Sequence, residues 1–302
     1  MAFLAGDRII ASLLDKVVLR SQFRFSLLYN GGQKYDILIM GNSRGVNTFY
    51  APAVQEATGK TTLNLSYNGM SADVAEALFM DYLDRNEKPK LLILEVSNVT
   101  HNIELLKELK LYATRSERLT NLFRKNNPNV AFWIEASHVF QFNDEMFLRA
   151  LYYYQQSDQT WINRYTINPA LLQSIQLGRP EKLTALPENV AALRRIVNTA
   201  KIQHIGIRMV VGPYLPAYGS RLANLHGWAE EVERAVASDI PVWDYSTAVK
   251  DTTAFADRLH LNYQGSLVLL KELLRDGLFE EPTPYPALES PTTQARRRAY
   301  RG

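Results

Sequence analysis

Between residues 35 and 96 the apolar positions fall in short unbroken runs separated by amphipathic stretches. The runs are Tyr35–Met40 (YDILIM), Thr61–Ser66 (TTLNLS) and Lys90–Val96 (KLLILEV), and each predicts a strand. The stretches between them read as helices. Val46–Thr58 is closed by Gly59, and Ala72–Asn86 sets Val74, Ala77, Leu78 and Leu83 on one face behind Ser71 as N-cap. Strands without polar alternation are buried on both sides, so the pattern predicts a parallel sheet covered by helices on both faces.

This rhythm stops near residue 100 and returns near 187. The intervening stretch is rich in helix formers and aromatics, among them Trp133, Tyr152, Tyr153, Tyr154, Trp161 and Tyr165, and predicts a helical insertion. A helix at Glu188–Ala200, a strand at Ile205–Val211, a helix at Ser220–Ala237, a strand at Pro241–Tyr245 and a last helix at Asn262–Leu274 follow. Five strands with intervening helices predict an α/β fold: a three-layer αβα sandwich with a five-stranded parallel sheet of flavodoxin-like order. The chain then divides into an N-terminal amphipathic helical segment at 1–34, the sandwich at 35–281 with its insertion at about 100–187, and a Pro- and Arg-rich tail at 282–302 whose composition predicts disorder.

Composition narrows the chemistry. The net charge of +3 lies in the tail, which holds Arg296, Arg297, Arg298 and Arg301 against Glu289, so the body is neutral and a nucleic-acid partner is not expected. The chain has no cysteine, which excludes disulfides, thiolate metal sites and a cysteine nucleophile. His138, His204 and His226 have no partners at metal-ligand spacing, so no metal is expected. No G-x-G-x-x-G follows the first strand, and Thr58-Gly59-Lys60-Thr61 has Val54 where a phosphate loop needs glycine, so no cofactor is expected. No apolar run approaches the about 20 residues that span a bilayer. The opening segment lacks a signal-peptide core, so membrane attachment would require an anchor preceding this sequence.

Open parallel sheets bind ligands at the carboxyl ends of their strands. Gly41-Asn42-Ser43-Arg44-Gly45 follows the first strand and places Ser43 near a helix N-terminus, where backbone N–H groups favour a developing oxyanion. A serine hydroxyl needs a base, and the base needs an orienting acceptor. Asp257 and His260, spaced i, i+3 in the connection to the last helix, supply both. Gly69 after the second strand and Asn98 after the third are candidate oxyanion donors. Arg44 and Tyr214, the latter after the fourth strand, are candidate substrate contacts, Arg44 for an anionic group such as a uronate carboxylate. His101 could line the same rim.

In the order Ser, Gly, Asn, Asp-x-x-His the chain resembles the SGNH (GDSL-type) hydrolase superfamily. The first block reads Gly41-Asn42-Ser43 where Gly-Asp-Ser is usual, the second Asn64 with Gly69, and the fifth Asp257 with His260. The third reads Val96-Ser97-Asn98-Val99 in place of Gly-x-Asn-Asp. Gly-Asn-Ser-Arg together with Leu-Glu-Val-Ser is similar to a branch of bacterial cell-envelope members related to proteins that O-acetylate exopolysaccharides or assist teichoic-acid D-alanylation. The resemblance covers roughly 35–98 and 188–274.

The resemblance implies a serine esterase or O-acyltransferase acting on acylated, O-acetylated carbohydrate in the periplasm or cell envelope. A cytoplasmic setting is the alternative. Ser43 would attack the ester, His260 act as base, Asp257 orient it, and the N–H groups of Ser43 and Gly69 with the Asn98 amide hold the oxyanion. Water as acceptor gives hydrolysis and a sugar hydroxyl gives transfer, and the sequence does not separate them. The alternative function is a non-catalytic carbohydrate-binding or scaffold protein on the same fold, since the first and third blocks are altered.

Overall fold

The computed structural model describes residues 2–100, 105–237 and 239–281. The tail expected from Pro282 onward and His101 lie outside the described residues. Each apolar run becomes a strand, trimmed by one or more residues: β1 (Ile37–Met40), β2 (Thr62–Asn64), β3 (Leu91–Glu95), β4 (Gly206–Val211) and β5 (Val242–Asp244). All pairings are parallel, in the order β2-β1-β3-β4-β5. Every residue of β1 and β3 is buried, which is why those runs carry no alternation. Register sets Met40 beside Leu94 and Glu95 beside Val210, so β1, β3 and β4 end close together on one edge.

Helices cover the sheet on both faces. α1 (Ala2–Leu19) and α2 (Arg24–Asn30) precede it, and α3 (Ser43–Thr48), α4 (Ala51–Thr58) and α5 (Ala72–Arg85) join the first three strands. Between β3 and the next long helix lie α6 (Glu117–Asn126), α7 (Pro128–Ala136), α8 (Glu145–Tyr152) and α9 (Pro169–Gln176), with 3-10 segments among them, the longest at Leu105–Arg115 ahead of α6. The remainder are α10 (Pro187–Ile202), α11 (Pro216–Gly219), α12 (Trp228–Val236) and α13 (Tyr263–Arg275). α5, α10 and α12 pack side by side on one face, and α3 packs with α13. Strand order reverses direction at β1, and right-handed crossovers then put the β1–β2 helices on the face opposite α5. Among the described residues no helix is long and apolar enough to cross a membrane.

Two predicted helices are divided. The helix expected over Val46–Thr58 starts earlier, at Ser43, and breaks at Phe49–Tyr50. Pro52 has no N–H to donate to the Thr48 carbonyl, which instead accepts from Ser266 Oγ at 3.1 Å. The helix expected over Ser220–Ala237 survives only as Trp228–Val236. Residues before it are held by tertiary partners: Leu222 bridges Glu181, and the Asn224 side chain bonds the backbone of Leu183 on both sides, at 2.9 and 3.0 Å.

The N-terminal helices are bonded into the segment between β3 and α10. Arg24 opens α2 with its backbone N–H on Asp158 Oδ1 at 3.1 Å and its Nε on Asp158 Oδ2 at 2.6 Å. Its two terminal nitrogens donate to the carbonyls of Asp158 and Ser66, so one guanidinium ties α2, the end of β2 and the turn at Asp158. Both partners are buried. In α1, the Asp7 carboxylate accepts from Ser137 Oγ at 2.6 Å and from the N–H groups of His138 and Val139 at 2.8 and 3.2 Å, capping the 3-10 turn His138–Phe142. Burial raises the Asp7 pKa, but these three donors and Arg8 outweigh it and bring it from 3.8 down to about 2.

Removing one partner of a buried ion pair leaves the other charge uncompensated, so Arg24→Ala is expected to lower stability by about 3–5 kcal/mol in denaturant unfolding. An Arg24→Ala protein as stable as wild type would contradict the clamp. Asp7 gives a pH signature. Its carboxylate stabilises the fold fully above pH 3.8, and that contribution is lost as the pH falls toward about 2. The Tm difference between wild type and Asp7→Asn is therefore expected to be largest near neutral pH and to shrink below pH 4; a difference that does not change with pH would exclude this cap.

Candidate active site

Ser43 is the first residue of α3, immediately beyond the end of β1. Asn42 caps the helix by accepting the Arg44 N–H at 2.8 Å. A Cβ at Gly45 would lie 2.9 Å from Ser66 Cβ and closer still to its Oγ, so only glycine lets this turn of α3 lie against the end of β2. Asn64 holds the other end of the turn, donating to the carbonyls of Gly45 and Phe49 at 3.1 and 2.9 Å. The first two sequence blocks thus build the seat of Ser43.

Asp257 and His260 lie in a tight loop before α13, closed by the Phe255–Leu261 bridge and by Ala256 N–H donating to the His260 carbonyl at 2.9 Å. Asp257 Oδ1 accepts the N–H groups of Leu259 and His260 at 2.8 and 3.0 Å, which leaves Oδ2 to accept His260 Nδ1–H at 2.7 Å. With Nδ1 protonated, the lone pair of Nε2 faces Ser43 Oγ at 2.7 Å. Burial raises the Asp257 pKa, but the His260 hydrogen bond and charge and the two backbone donors outweigh it, so the carboxylate is held below its ordinary range. The structure therefore brings Ser43, His260 and Asp257 into one hydrogen-bonded row across 217 residues of sequence.

Gly69 and Asn98 follow β2 and β3 on the same edge. Gly69 has φ +69°, a conformation glycine adopts without strain, and its carbonyl accepts from Leu105. Asn98 sits in the 3-10 turn Val96–Thr100, is 1% exposed, and its Oδ1 has no hydrogen-bond partner among the described residues. A buried polar atom left open costs about 1–3 kcal/mol, and this one, an acceptor, would be completed by a donor and not by an oxyanion.

Arg44 and Tyr214 are not where a substrate contact must be. Both are buried, and the Arg44 guanidinium lies 3.8 Å from the centre of the Tyr214 ring. Its Nε faces Glu95 Oε1 at 3.4 Å, and its terminal nitrogens donate to the carbonyls of Gly212 and, at 3.0 Å, Leu259. Glu95 in turn accepts from the Gly212 N–H at 3.3 Å and from Ser97 Oγ at 2.5 Å. Each of the three guanidinium nitrogens thus bonds inside the protein, and the expectation that Arg44 receives an anionic substrate group is corrected. Glu95 went unrecognised in the sequence. Its signal was available: a carboxylate at the end of an otherwise apolar strand needs a buried cation.

A strap beside the triad was missed as well. Asn47, one turn after Ser43, donates to the Ser43 carbonyl at 2.8 Å and accepts the Asn163 N–H at 3.1 Å. Asn163 accepts the Tyr263 N–H at 2.7 Å, Asn262 donates to the Tyr165 carbonyl at 3.3 Å, and the Arg164 guanidinium lies over the Tyr263 ring at 4.8 Å. Residues 161–167 are thereby pinned across α3 and the start of α13, with the Trp161 and Tyr165 rings exposed. On its other side the row borders an open hollow of about 460 Å³, where Leu171, Ile175 and Leu259 meet His260. The cations at its rim, Arg221 and Arg258, are both held against Glu181.

No family model and no curated protein matches the chain. Among solved structures it is similar to a candidate platelet activating factor from Streptococcus pneumonia, with 13% identity, TM-score 0.42, and 91% of this chain and 94% of that one covered. It is also similar to a GDSL-like lipase from Bacteroides thetaiotaomicron, with 9% identity, TM-score 0.38, and 81% and 87% covered. The α/β assignment rests on the strand order and parallel pairing described above.

Arg44→Met is expected to destabilise the protein by about 3–5 kcal/mol, because Glu95 stays buried without its counter-charge. Arg44→Met with Glu95→Leu removes both charges and is expected to recover much of that loss in urea unfolding. A double variant no more stable than the single one would show that the pair's electrostatics is not the source.

Proposed function

We propose that the protein is a serine esterase or O-acyltransferase of SGNH type that acts on acylated carbohydrate through an acyl-Ser43 intermediate. The observation that carries this reading is the row from Ser43 Oγ through His260 to Asp257, with both links at 2.7 Å. A base within hydrogen-bond reach of the hydroxyl, itself oriented by a carboxylate, is what an activated serine requires.

In the proposed reaction Ser43 Oγ attacks the ester carbonyl as His260 Nε2 takes its proton, and Asp257 stabilises the imidazolium. The N–H groups of Ser43 and Gly69 donate no hydrogen bond to any described residue, so they suit the oxyanion. The side-chain NH2 of Asn98, after β3, is the third donor of this reading. His260 then returns the proton to the leaving alkoxide, and the acyl group remains on Ser43. Water or a sugar hydroxyl, deprotonated by the same imidazole, releases it. The carbohydrate class is supported by the strap at 161–167, bonded to Asn47 one turn after Ser43, whose exposed Trp161 and Tyr165 offer flat apolar surface to sugar rings.

The test is hydrolysis of p-nitrophenyl acetate by the wild type and by folded Ser43→Ala and His260→Ala variants. Each variant is expected to lose kcat by about 10³-fold or more. Wild-type protein that neither turns over nor forms an adduct with a serine-directed phosphonate would overturn the reading and favour a carbohydrate-binding or scaffold protein on this fold.

A further inference from the structure

Helix α1 is apolar on two faces, one turned to the core and one turned to solvent. Inward it turns Asp7, Ala11 and Val18, with Leu14 and Leu19 half-buried against the core, while Ile9, Ile10 and Leu13 stand 62%, 51% and 58% exposed and Val17 is also exposed. These four residues fall on one helical face at i, i+1, i+4 and i+8. Both carboxylates of the helix face the other way: Asp7 caps the turn at His138, and Asp15 pairs with Arg115 at 2.8 Å. The exposed charges left on the outward side are Lys16 and Arg20, neither of which has an ion pair among the described residues.

The apolar face does not end at α1. α8 packs beside it and shows an exposed row of its own, Leu148, Leu151 and Tyr152, at i, i+3 and i+4. Val17 meets Leu151, Tyr152 and Tyr154 around a shallow open hollow of about 420 Å³. The charged residues of this part of α8, Glu145 and Arg149, neutralise each other at 2.6 Å.

We propose that the outward face of α1, with the adjoining row of α8, docks on an anionic lipid surface. Aliphatic side chains flanked by unpaired cations, acids turned inward, and tyrosines at the edge form the pattern of a helix lying in the headgroup plane. A protein partner would need no such charge bias. Its aliphatic residues and the unpaired Lys16 and Arg20 suit a surface that is itself apolar and anionic. Attachment then needs no membrane-spanning anchor.

The test is flotation of the full chain with vesicles of phosphatidylcholine alone or mixed equally with phosphatidylglycerol. The wild type is expected to float with the anionic vesicles. Ile10→Ser with Leu13→Ser, and separately Lys16→Glu with Arg20→Glu, are each expected to weaken binding about tenfold or more without changing the thermal melt, since all four positions are exposed. The tail arginines are present in every variant. Equal flotation of wild type and variants would mean that the tail does the binding and would overturn the proposal. So would no flotation, or a wild-type dimer in light scattering that the Ser variant abolishes, which would assign the face to a second copy.

Discussion

The guanidinium of Arg44 is the constraint around which the carboxyl edge of the sheet is assembled. A cation this deeply buried is tolerated only if its charge is met and its donors are filled. Glu95 meets the charge from the end of β3, and the Gly212 and Leu259 carbonyls take donors from the end of β4 and from the loop that carries His260. The Tyr214 ring covers its face. Only a planar fork reaches three elements in three directions at once, and a lysine could not. The consequence for the site is geometric. Arg44 follows Ser43 in sequence and Leu259 precedes His260, so the two halves of the triad are fixed through a common centre.

A second arginine does for the surrounding structure what Arg44 does for the edge. Arg24 binds the carboxylate and carbonyl of Asp158 and the carbonyl of Ser66, just beyond β2. Asp158 opens the short turn that leads into Trp161 and the strap over α3. The N-terminal helices are therefore not an appendage. They hold the segment that runs on into the strap bonded to Asn47, and they do so through buried charge together with apolar packing such as Phe23 stacked on Tyr153.

The strands were legible in the sequence because a parallel sheet buried on both faces writes itself as unbroken apolar runs, as in ILIM and LLILE. Ser43, Asp257 and His260 were legible by position, since each follows a strand at the edge where such sheets bind ligands. What failed was local reasoning about residues whose partners are remote. Arg44 read as a contact for an anionic substrate group because the carboxylate that claims it lies 51 residues away. The helix from Ser220 failed for the same reason: Glu181 and Leu183 hold its first residues in another conformation. Pro52 was the exception, a local breaker present in the sequence and passed over.

In the proposed reaction, hydrolysis and acyl transfer share every residue up to the acyl-enzyme, so the outcome turns on which hydroxyl stands beside His260 Nε2. Water has access, since the imidazole is 18% exposed and opens on the hollow at Leu171. A sugar can prevail over water only if its hydroxyl is held in line, where the gain from positioning reaches many orders of magnitude in effective concentration. The element placed to hold it is the strap, because Asn47 and Asn262 fix its backbone to the very helices that carry Ser43 and follow His260. Transfer therefore demands rigidity of residues 161–167, and hydrolysis does not. The hydrogen bonds that tie this strap to α3 and α13, more than the triad itself, are where the two activities would part.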